Sequence, residues 1–76
     1  MFDWLCDVPH EIIEELKKYG LSVTAKIGGC PISAVETMIA VKGNALVIES
    51  LTIAGWKKTW GFIRDGKKYI HMQKQL

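Results

Sequence analysis

The feature that most restricts the fold is an Asp65–Gly66 pair set between two alternating segments, Trp56 to Arg64 and Lys67 to Met72. A type I′ turn needs positive φ at both central positions, so an Asp-Gly pair here predicts a two-residue β-hairpin loop. Such a loop also dictates the register. Arg64 faces Lys67, Ile63 faces Lys68, Phe62 faces Tyr69, Gly61 faces Ile70 and Trp60 faces His71. One side of the ribbon then carries Trp60, Phe62, Arg64, Lys67, Tyr69 and His71, and the other carries Thr59, Gly61, Ile63, Lys68, Ile70 and Met72. Both sides are rich in apolar groups, whereas a single helix covers only one side of a sheet. The second side must therefore close into a barrel wall, meet a partner or stay exposed.

What precedes the hairpin reads as one helix and several strands. A helix is expected from about Pro9 to Tyr19, capped by Asp7 or Val8. Pro9 suits its first turn, Glu11, Glu14 and Glu15 suit its positive end, and Lys17 and Lys18 suit its last turn. Val8, Ile12, Ile13, Leu16 and Tyr19 fall on one stripe, and Gly20 is placed for a left-handed cap. The period changes to two at Leu21, where Leu21, Val23, Ala25 and Ile27 alternate with polar residues up to Gly28.

Residues 33–42 read two ways. Ser33 with Glu36 spells a helix capping box, while Val35, Thr37, Ile39 and Val41 alternate as a strand does. The β-branched content favours the strand. Leu46 to Ile53 reads as a further strand that Ala54 and Gly55 break. The expected fold is thus α+β, a single domain over residues 1–76 with an N-terminal amphipathic helix packed on four or five antiparallel strands, in a meander or a small barrel. At this length there is room for one modest core and no second domain.

With residues 33–42 helical instead, the order becomes helices followed by a two-stranded wing. The run Gly29 to Val35 then resembles the turn entering the recognition helix of winged helix-turn-helix domains. That resemblance implies DNA binding through the second helix. The helix would present Glu36 and Thr37, with no Arg or Lys before Lys42, a poor match to phosphate and guanine contacts.

Charge and sparse motifs narrow the function. Residues 1–20 hold five acids against Lys17 and Lys18, while residues 56–76 hold six bases against Asp65, so the modest net charge of +2 conceals a basic C-terminal end. With the Ile63, Ile70 and Met72 side as core, the other side offers Trp60, Phe62 and Tyr69 interleaved with Arg64, Lys67 and His71. Such a surface stacks bases and holds phosphates on single strands, and Lys57, Lys58 and Lys68 lie close by. The leading expectation is a non-enzymatic module that binds nucleic acid through this hairpin. The alternative is a protein interaction module, an adaptor, inhibitor or homodimer, using the same sheet face. The plainer role for the three rings is as the aromatic core of a small sheet.

Other chemistry finds little footing. Cys6, His10, Cys30 and His71 lack the paired short spacings of a zinc site, no nucleophilic motif surrounds them, and Gly28 and Gly29 lack the pattern of a phosphate loop. No enzyme, metal or cofactor is expected, the cysteines are expected as buried free thiols, and the three helix glutamates as solvated. The longest uncharged stretch, Ile27 to Val35, is nine residues. No membrane span is expected, and the acidic N-terminus, unlike a secretory signal, points to an intracellular, cytoplasmic protein.

Overall fold

A computed structural model describes residues 8–76. The element order is α1 (His10–Lys17), β1 (Ala25–Ile27), β2 (Ala34–Ala40), α2 (Ala45–Ile53), β3 (Lys57–Arg64) and β4 (Lys67–Gln75). This is an α+β domain with an open four-stranded antiparallel sheet, ordered β1-β2-β4-β3.

Both helices end in the same way. Gly20 (φ 72°) lets the Leu21 amide reach Leu16 O at 2.9 Å, and Gly55 (φ 110°) lets the Trp56 amide reach Leu51 O at 2.9 Å. Pro9, expected in the first turn, instead occupies the N-cap of α1 without a side-chain cap bond, one residue beyond Val8; Asp7, the alternative cap expected, lies outside the described residues. Residues 33–42 resolve as the strand β2, which removes the winged-helix alternative.

The middle of the chain departs from expectation. Leu46 to Ile53 is helical rather than extended. Val47, Ile48 and Leu51 follow helical spacing onto the core, while Leu46 and Ile53 lie on the outer face, so the apolar residues of the run show no single stripe. The meander order fails as a consequence. Strands β2 and β3 each pair antiparallel with β4, so they run parallel to one another on either side of it. A hairpin cannot join parallel strands, and α2 supplies the crossover. The sheet stays open, with β1 and β3 as edges, instead of closing into a barrel.

The core lies between the helices and one sheet face. Val8, Ile12 and Leu16 from the first helix and Leu51 from the second pack with Val35 and Ile39 of β2, Ile70 and Met72 of β4, and Trp56. Polar groups drawn into this layer are satisfied. Buried Thr37 donates its hydroxyl to Ser22 O at 2.9 Å. The indole of Trp56 donates to Glu15 Oε1 at 3.2 Å, and Lys74 Nζ approaches the same oxygen at 3.5 Å. Glu15 is therefore not the solvated side chain expected of it, although Glu11 and Glu14 are exposed. Cys30 is also corrected: it is exposed and disulfide-bonded, not a buried free thiol. Cys6 lies outside the described residues.

Candidate nucleic-acid interface

The hairpin register is the expected one at every pair from Arg64↔Lys67 to Trp60↔His71. Asp65 (φ 52°) and Gly66 (φ 77°) both adopt the left-handed backbone that the two-residue turn requires. Beyond Trp60 the strand is irregular. A bulge between Lys58 and Trp60 leaves Thr59 unpaired and carries the pairing on through Lys58↔Met72 and Lys57↔Gln73.

Since Ile70 and Met72 point into the core, their neighbours Tyr69, His71 and Gln73 must point to the opposite face, away from both helices. Three rows cross this open face. They read Ala40, Tyr69, Phe62, then Met38, His71, Trp60, then Glu36, Gln73, Lys57. Trp60, Phe62 and Tyr69 are thus not core aromatics: Trp60 is 53% exposed, and Phe62 and Tyr69 are half-buried.

The rings pack on one another. Trp60 stacks on His71 with centroids 4.0 Å apart and planes 15° from parallel, and Phe62 stacks on Tyr69 at 5.4 Å and 13°. Trp60 and Phe62 meet at 5.5 Å with a tilt of 38°, which joins the two stacks. The outcome is a continuous aromatic cluster of two cross-strand stacks tilted against one another.

Glu36 organises the cluster's inner edge. Its Oε1 lies 3.2 Å from His71 Nδ1, and its Oε2 accepts a hydrogen bond from the Thr59 hydroxyl at 3.2 Å. Thr59 also lies within 3.2 Å of His71 O, so the bulge residue ties β3 to both neighbours in the cluster. The Glu36 and His71 side chains are each only 13% exposed. The His71 ring is fixed edge-on by Glu36 while its face supports Trp60.

Of the residues expected at this site, the register gathers Lys57, Trp60, Phe62, Arg64, Lys67, Tyr69 and His71 on the open face. Lys58 and Lys68, opposite Met72 and Ile63, point to the helix side instead. Sequence reasoning missed Glu36 and Gln73, and it set Thr59 on the opposite face with Gly61 and Ile63, where the bulge does not leave it. The alternation of β2 carried the signal for Glu36, but its face is defined only through pairing with β4.

Among the described residues no three His, Cys, Asp or Glu side chains cluster in a way that holds a metal ion. His10 lies by Glu14, and His71 by Glu36, on different elements. No helix of the described residues is long and apolar enough to cross a membrane. No family model matches the chain, and neither a curated protein nor a solved structure matches it significantly.

Proposed function

We propose that the chain is a small non-enzymatic binding module that holds single-stranded nucleic acid on its open sheet face. The observation that supports this reading is the register, which puts Trp60, Phe62, Tyr69 and His71 on one uncovered face with Lys57, Arg64 and Lys67. Stacking on a sheet-borne aromatic platform, with cations tracking the backbone, is how sequence-tolerant single-strand binding works. Trp60, the most exposed ring, takes a base. Arg64 and Lys67, cross-strand neighbours of like charge, gain when a phosphate sits between them. Glu36 lies in the Gln73 and Lys57 row, three rows from the Arg64 and Lys67 pair, so it stands well away from a phosphate held there.

Three phosphate contacts give a salt slope of about −2 for a single strand, or roughly a 20-fold loss of affinity between about 50 and 200 mM salt. Binding of short homopolymer oligonucleotides across that range tests this. A joint Arg64→Ala and Lys67→Ala variant should weaken binding and flatten the slope. Absence of binding at low salt would refute the proposal.

A second reading places a protein partner on the same face, favoured by the exposure of Ile27 in β1. Its binding should scarcely respond to salt. An intracellular location belongs to the nucleic-acid reading, whereas the Cys30 disulfide fits an oxidising compartment better. Alkylation of Cys30 in protein trapped at its source separates the two.

A further inference from the structure

Among the described residues, the helix side also carries exposed apolar side chains. Leu46 and Ile53 of α2 are 77% and 81% exposed, and Ile63 of β3 is 73% exposed. Leu46, Glu49 and Ile53, spaced by three and four residues, share the outer face of α2. Val47, Ile48 and Leu51 face the core. A helix apolar on both faces is usually covered on both.

Beside it, a shallow groove is lined by Lys58, Gly61, Phe62, Ile63, Lys68 and Ile70. Gly61 deepens it by having no side chain, and Lys58 and Lys68 point to this side of the ribbon. Glu49, Lys58 and Lys68 make no ion pair with any described residue, so an apolar ridge with a lone acid adjoins an apolar groove with two lone cations.

We propose that a second copy of this chain covers this surface, the α2 ridge of each protomer lying in the Ile63 groove of the other. The two halves are complementary in apolar character and charge: Leu46 and Ile53 meet Ile63 over the groove floor at Ile70, and Glu49 meets Lys58 or Lys68. Because α2 and the Lys58, Ile63 and Lys68 side of the ribbon lie on the same side of the sheet, ridge and groove open in the same direction. A two-fold axis can therefore satisfy both at once and closes the assembly as a dimer. Trp60, Tyr69 and His71 remain on the opposite side of the sheet, with Phe62 the one platform residue that also borders the groove, so this inference does not rest on the nucleic-acid reading.

Sedimentation equilibrium of the full chain over a concentration series up to about 1 mM tests it. Wild type should show a monomer–dimer equilibrium. Leu46→Asp with Ile53→Asp, both at exposed positions, should raise the dimer Kd at least about tenfold while far-ultraviolet circular dichroism stays native. Glu49→Lys should weaken self-association, and mixing it with a Lys58→Glu and Lys68→Glu variant should restore a heterodimer. A chain that stays monomeric throughout overturns the proposal. So does a dimer that survives the double Asp variant or is lost on Trp60→Ala, which would place the contact on the sheet face.

Discussion

Leu51 and Ile53 separate the helix from the strand that the sequence suggested for this segment. In a strand, residues two apart share a face and would be buried or exposed together; in α2 they lie about 200° apart. Leu51 is fully buried and Ile53 is 81% exposed. Truncating Leu51 to Ala removes three carbons from the core, about 2.4 kcal/mol of transfer free energy, plus the cavity left behind. The total is about 2–5 kcal/mol. A domain of this size has roughly 4–11 kcal/mol of stability, so Leu51→Ala should lower Tm by roughly 10–30 °C or prevent folding. Ile53→Ala, in protein dilute enough to be monomeric, should stay within about 0.5 kcal/mol of wild type. Thermal and urea unfolding followed by circular dichroism measure both. Comparable losses at the two positions would refute the helical placement.

Other residues make sharper local tests. Thr37→Val keeps the shape of a buried side chain but leaves Ser22 O without its donor, and should cost about 1 kcal/mol by urea denaturation. Trp56→Phe removes the indole bond to Glu15 along with some core volume, and should cost about 1–3 kcal/mol; Lys18→Ala, on the exposed surface of the same region, should be silent. Gly66→Val forces a β-branched residue into φ 77° and should cost about 1–2 kcal/mol, seen as faster amide exchange in β3 and β4, whereas Asp65→Asn should be nearly neutral.

The parts legible in the sequence were those decided locally. The turn at Asp65 and Gly66 carries its own backbone requirement, and from it every pair down to Trp60↔His71 follows by counting. Gly20 ends α1 for the same kind of local reason. What could not be read depends on contacts distant in sequence. Whether Ala45 to Ile53 coils or extends is decided by its packing on Trp56 and the core, and its apolar residues, interrupted only at Glu49, Ser50 and Thr52, fall all round a helix and offer no period to choose by. The pairing of β2 with β4, which carries Glu36 to the aromatic platform, skips over α2 and β3 altogether. The Thr59 bulge has no glycine or proline to announce it, yet it exchanges the faces of Lys57 and Lys58, which an unbulged strand would carry the other way round. Lys57 stays with Arg64 on the open side, and Lys58 goes to the helix side.

Aromatic and indole proton spectra recorded while a short single-stranded oligonucleotide is titrated in at low salt test the central claim most directly. The ligand must sit on the ribbon face that bears Trp60 and not on the one that packs on Trp56. Trp60, Phe62, Tyr69 and His71 signals should shift together and saturably, those of Trp56 and α2 should stay in place, and Trp60→Ala should weaken binding by about 5–150-fold without unfolding the domain. Shifts confined to α2 or Trp56, or undiminished affinity in the Trp60→Ala variant, would contradict it.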